Sequence, residues 1–189
     1  MNGVSTHYSW KPISDLPADF GALTDGELGP LHRVWISQRG TLERSGVLSE
    51  FLGQIQREWA IETGIIERVY TLDRGITRLL IEEGIDASLI QHESTDKNPE
   101  HVARIIQDHA DTLEGMFAFV KGERELTAGY VKELHASLLQ HQSTVTVVDQ
   151  FGNKFDKPLI RGAYKTVPNN PTRPDGTIHE YCPPEQTAS

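Results

Sequence analysis

Apolar residues return at spacings of three and four along most of this chain, the signature of helices with one buried face. Residues 1–24 are the first exception. Pro12 and Pro17 break them, periodicity is weak, and an irregular arm is expected. A helix is predicted from Leu28, entered through Gly29-Pro30, with Leu31, Val34 and Trp35 on one stripe. After Ser45 a longer segment follows, with Leu48, Phe51, Leu52, Ile55 and Trp59 on its apolar side, running on into Ile66, Val69 and Tyr70. Gly64 lies inside that segment and predicts a bend or break. Another helix around Ile76–Glu83 should stop at Gly84.

The strongest helix signal begins at Asn98, an N-cap, with Pro99 in the first turn and Glu100 beside it. Val102, Ile105, Ile106, His109, Leu113, Met116, Phe117 and Val120 trace one face, and Gly122 ends it. Thr127 caps a further helix whose stripe is Val131, Leu134, His135, Leu138 and Leu139. The period then changes. Thr144–Val148 alternates, Asp149–Asn153 supplies turn residues, and Lys154–Ile160 can return as the partner strand. Residues 162–184 are proline-rich around a Pro174-Asp175-Gly176 turn and predict extended or hairpin structure. Pro183-Pro184-Glu185-Gln186 reads as the entry to a helix that Ser189 leaves unfinished, so a truncated chain is expected. The organisation expected is an arm over 1–24, N-terminal helices over 25–97, and a partial helical core with a hairpin over 98–189. The fold class is mainly α, a multi-helix bundle with one or two small β-hairpins near the C-terminal end.

Composition adds bounds to this picture. At 189 residues, 37% hydrophobic and 24% charged, the chain suits a globular domain with a real core, and no apolar run nears the ~20 residues of a membrane span. Cys182 is the single cysteine, which excludes an intramolecular disulfide and makes the cytoplasm the expected compartment. A net charge of −9 argues against a nucleic-acid partner. The charge is concentrated: residues 61–120 carry 5 basic and 12 acidic groups, whereas residues 121–189 carry 8 of each. An acidic solvated helical face explains that bias more simply than an acidic binding surface does.

Searches for common chemistry return little. There is no phosphate-binding Gly-x-x-x-x-Gly-Lys loop, no Gly-x-Gly-x-x-Gly, no Cys-x-x-Cys and no His-Glu-x-x-His. Cys182 with His179 and Glu180 lacks the further ligands a metal needs. His109 falls on an apolar stripe and is expected to be a core histidine, and His135, also on a stripe, is expected to pack against a neighbouring helix.

One ordered set is more specific. Trp59, Thr63 and Glu67 are spaced by four and share a helix face, giving a Thr-x-x-x-Glu motif. Leu126-Thr127, Leu134-His135, Gly162-Ala163-Tyr164-Lys165 and Pro183-Pro184 follow in that order. This order resembles the Fic (Fido) family, over about residues 45–186. The resemblance implies transfer of AMP from ATP to a hydroxyl of a target protein, with ATP and magnesium as cofactors. Thr63 and Glu67 match the family's inhibitory helix, whose glutamate occupies an arginine that would otherwise hold the γ-phosphate. Arg68 stands where that motif has Gly or Asn. Gly162, Tyr164, Lys165, Thr166 and Val167 match the start of the family's flap, which grips a target segment by strand pairing. Lys165 replaces the usual arginine and keeps its charge without the planar fork.

The family's chemistry rests on a His-Pro-Phe-x-Asp/Glu-Gly-Asn-Gly-Arg loop, which these residues do not contain. The nearest string, Gln150-Phe151-Gly152-Asn153-Lys154, would need a histidine where Val147 stands. The ligands for ATP and magnesium are therefore not in this chain, no catalytic residue is assigned, and the chain alone is expected to be inactive. The alternative is a non-catalytic helical module for protein binding or regulation. No membrane association is expected, and the target protein is the one partner implied.

Overall fold

The computed structural model describes residues 8–12, 18–149 and 151–187. It shows five α-helices followed by one two-stranded antiparallel sheet, the mainly helical class with a small hairpin near the C-terminal end. The chain divides into two compact units, one of Arg33–Gly162 and one that joins Met1–His32 to Ala163–Ser189. Ala60, Ile61, Tyr70, Leu80 and Ile90 share a single core with Val102, Ile105, Ile106 and Ala110.

Helix α1 (Leu28–Arg44) forms where the pattern predicts it but buries nothing. Leu31, Val34 and Trp35 on its stripe are all exposed. Helix α2 (Val47–Ile66) is the first to enter the core, and it does so with a different face from the one marked by its large residues. Phe51, Leu52 and Trp59 remain half exposed, while Leu48 of the predicted stripe is buried, as are Ala60, Ile61 and Gly64. Small residues let the neighbouring chain approach closely, so the tight contact forms there and not along the bulky stripe. A Cβ on Gly64 would lie 2.4 Å from the Tyr70 ring. Tyr70 is fully buried, and its hydroxyl donates to the Ile61 carbonyl at 2.9 Å, which satisfies the one polar atom it brings inside. Burial, with Glu62 nearby, pushes the Tyr70 phenol well above its ordinary range.

The predicted run of α2 into Val69 and Tyr70 is not observed, and the reason is a cap. The Val69 N–H donates to the Gly64 carbonyl at 2.9 Å and the Arg68 N–H to Ile65 at 3.1 Å. These bonds close a Schellman motif with Arg68 in the left-handed region at φ 57°. Helix α3 (Arg74–Glu83) then ends at Gly84 as expected, and the Arg57 guanidinium donates across to its Ile81 carbonyl at 2.7 Å.

Helix α4 (Pro99–Val120) begins under the Asn98 cap, whose Oδ1 accepts from the His101 N–H at 3.2 Å. Its predicted stripe is buried from Val102 to His109 but half exposed at Met116 and Phe117 and largely exposed at Val120. Helix α5 (Ala128–Leu138) is capped by Thr127 and seats Tyr130 against α4, where the phenol donates to the Gly115 carbonyl. Strands β1 (Thr144–Val148) and β2 (Lys154–Pro158) pair from Thr144↔Pro158 to Val148↔Lys154. The second strand ends at Pro158, two residues short of the expected Ile160, although one further bond, from the Leu159 N–H to the Ser143 carbonyl at 3.0 Å, closes the base of the hairpin.

Candidate functional site

The end of α2, the C-terminal half of α5 and strand β1 together wall a cavity of about 660 Å³. Thr63 lines it from α2 with Glu67 and Arg68 of its C-terminal cap, and His135 and Leu138 from α5 with Leu139 just past its end. Thr144–Thr146, Asp156 and Leu159 line it from the hairpin, and Val69, Lys97, His109 and Gln142 complete the wall. The two residues of the Thr-x-x-x-Glu motif therefore reach one cavity together, as a spacing of four on a helix requires. The Thr63 hydroxyl is spent on the Trp59 carbonyl at 2.7 Å. The exposed Glu67 carboxylate has no hydrogen-bond or ion-pair partner among the described residues.

Two histidines shape the wall. His109 is almost fully buried, and its Nδ1 meets the Ala60 carbonyl at 2.9 Å, so Nδ1 carries the proton. Burial holds its pKa below the ordinary histidine value, against the opposing pull of that hydrogen bond and of Asp108. This confirms His109 as a core histidine. His135 is half-buried on α5 and holds a loop: its Nδ1 accepts from the Gly162 N–H at 2.8 Å. That contact explains the glycine. At φ 63°, a Cβ on Gly162 would stand 3.0 Å from the Lys132 carbonyl oxygen and 3.2 Å from the Ala136 Cβ.

Asp108 is a residue that sequence reading passed over. It is buried on α4, where its Oδ2 accepts from the His141 N–H and its Oδ1 from the His141 ring, both at 2.8 Å. The link after α5 that leads into β1 is thereby tied to the core helix. Its only sequence signal was an acidic residue beside a buried histidine. His101, nearby on α4, is held below the ordinary value by burial first and then by Lys97, His141 and Arg104.

The flap candidates other than Gly162 belong to the second unit. Tyr164, Lys165, Thr166 and Val167 lie in no strand, with Tyr164 and Val167 exposed. The Lys165 ammonium reaches Asn169 Oδ1 and sits 5.9 Å above the Tyr181 ring. The hairpin character predicted for 162–184 is confined to Thr172↔Ile178, an isolated antiparallel bridge. Its turn is closed by Arg173 N–H to Thr177 at 2.8 Å and Gly176 N–H to Arg173 at 2.9 Å.

The cavity does not fit a magnesium-bound triphosphate. It offers two cations, Arg68 and Lys97, against two carboxylates, Glu67 and Asp156. The helix ends that open on it are the C-terminal ends of α2 and α5, whose partial charge is negative. Phosphates are held where N–H groups converge, at helix N-termini or glycine-rich loops, and neither lines this wall. The lining is better suited to a cation, for which Glu67 is the open acceptor. No helix among the described residues is long and apolar enough to cross a membrane. No protein-family model matches the chain, and neither does any curated protein or solved structure.

The cap at Arg68 carries its own expectation. An L-residue in the left-handed region costs about 1–2 kcal/mol relative to glycine, so Arg68→Gly should stabilise the chain by about 1 kcal/mol. Thermal unfolding should shift upward by roughly 2–4 °C, and an unchanged or lowered midpoint would refute the cap.

Proposed function

We propose that this chain is the regulatory and target-docking part of a Fic-type AMP-transferase, with α2 as its inhibitory helix. The observation that supports this most is Glu67: it ends its helix at a cavity wall, beside Thr63, and its carboxylate has no partner among the described residues. A carboxylate so placed can receive a guanidinium fork in two parallel hydrogen bonds, the contact by which the family withholds an arginine from the γ-phosphate. The Schellman cap adds to this. A motif ending in Gly or Asn has, at that position, the residues that enter the left-handed region most readily, and Arg68 takes that conformation here.

Transfer needs a phosphate-cradling loop that these 189 residues lack, so the reading assigns them control and docking and no step of the chemistry. Incubated with labelled ATP, magnesium and candidate targets, the chain should transfer no label, and metal-dependent covalent labelling would overturn that assignment. The coding sequence beyond Ser189 gives the second test. Should it continue into a histidine-bearing Gly-Asn-Gly-Arg loop, Glu67→Gly in that longer chain should raise self-labelling, and an unchanged rate would remove Glu67 from the inhibitory role. The other reading is a helical module for protein binding that uses no nucleotide. The exposed apolar stripe of α1 favours it, and a stop codon directly after Ser189 would support it.

A further inference from the structure

In the second unit the chain from Ile178 to Tyr181 runs extended, and its successive N–H groups point to opposite edges. The His179 N–H donates to the Pro171 carbonyl at 3.0 Å, and the Tyr181 N–H to Asn170 Oδ1 at 2.9 Å. The Glu180 N–H points the other way and donates to the Tyr8 carbonyl at 3.1 Å. Tyr8, from the N-terminal arm, pairs with His179 in a parallel bridge. Its ring lies flat on the imidazole, with centroids 4.2 Å apart and planes within 7°. Tyr181 meets the same imidazole edge-on at 5.1 Å. The Arg173 guanidinium can only donate, so its 2.7 Å contact fixes His179 Nδ1 as an acceptor and the ring as a neutral platform.

We propose that the outer edge of Ile178–Tyr181 is a docking edge for an extended peptide carrying an aromatic residue, held in cis by Tyr8 until such a segment displaces it. The inference rests on the reading of 162–184 as the target-docking segment, and adds what the edge recognises and what occupies it. The arm itself displays the ligand chemistry: one main-chain carbonyl for the Glu180 N–H and one flat ring for His179. Strand addition of this kind takes its grip from the backbone and its selectivity from the alternate side chain that finds a partner. The occupant is built to leave. Parallel pairing is the weaker ladder, and Tyr8 is still 46% exposed, so a competing strand has access to it. The cis arm prevails in the resting chain because its tether gives it a high effective concentration.

The test uses the full chain and a fluorescent peptide with the arm's own sequence, Ser-Thr-His-Tyr-Ser-Trp-Lys-Pro, read by anisotropy. The Tyr8→Ala chain should bind the peptide at least about tenfold more tightly than the unsubstituted chain, since its edge is vacated. The same peptide with alanine for its tyrosine should bind neither chain. Amide exchange at Glu180 should quicken in the Tyr8→Ala chain and slow again when the peptide is added. Equal peptide affinity for both chains, undiminished binding of the alanine peptide, or an unchanged Glu180 amide would each overturn the proposal. The assay contains no nucleotide, so its failure removes the docking edge alone and leaves AMP transfer to the labelling test.

Discussion

Gly64→Ala should destabilise the Arg33–Gly162 unit by about 3 kcal/mol, the upper end of the usual cost of overpacking a core. Alanine is the better helix former, so propensity alone predicts a gain of about 1 kcal/mol, and the sign of the result decides which effect rules. The Cβ would fall 2.4 Å from Tyr70, a distance that demands movement of either the helix or the ring. Neither moves cheaply. The ring is fully buried, and its hydroxyl is tied to the Ile61 carbonyl, one turn back on the same helix. Gly53→Ala is the control, since its added Cβ would meet only the Arg57 guanidinium at 3.5 Å. Denaturant unfolding should show Gly53→Ala neutral or stabilised and Gly64→Ala sharply weakened. Similar midpoints for the two would mean that α2 and Tyr70 are not packed as described.

Asp108→Ala should cost a similar amount, about 3 kcal/mol, for an electrostatic reason. Two hydrogen bonds to one carboxylate end together, and hydrogen bonds to charged groups contribute about 1.5–3 kcal/mol each, less the relief of leaving no buried charge. The loss should be local before it is global. The His141 amide, held by Asp108 Oδ2, should exchange much faster, and Ser143–Leu159, the bond that closes the base of the hairpin, should loosen with it. Asp108→Asn keeps one acceptor and should fall between. A His141 amide that stays protected in Asp108→Ala would show that the link after α5 is held by something else.

Much of this architecture was legible from spacing and caps. Asn98, Thr127, Gly84 and Gly122 each mark a helix end by a local rule that needs no knowledge of the rest of the chain. The misses have one origin, which is that periodicity tells which residues share a face and not whether another element covers it. The stripe of α1 is correct as a pattern and bare in the structure. On α2 the face that enters the core is Ala60, Ile61 and Gly64, two of them small residues that a search for large apolar positions discounts. In the sequence Arg68 is a departure from a motif, while its backbone role as a helix terminus depends on bonds that Val69 and Arg68 make only once the chain turns. For the site, spacing sufficed to put Thr63 and Glu67 on one face. The cavity wall opposite them comes from residues about seventy to ninety positions away, which no local pattern encodes.

The hairpin has a practical consequence for anyone concentrating this protein. Thr144–Val148 is an uncharged run of β-branched residues, and among the described residues its sheet has only two strands. Such a run presents an unsatisfied ladder edge to other copies, the geometry from which cross-β stacking grows. Lys154, Asp156 and Lys157 on the partner strand are the charges placed to oppose it. Neutralising those lysines would therefore shorten the shelf life of the folded protein well before it changed its melting point.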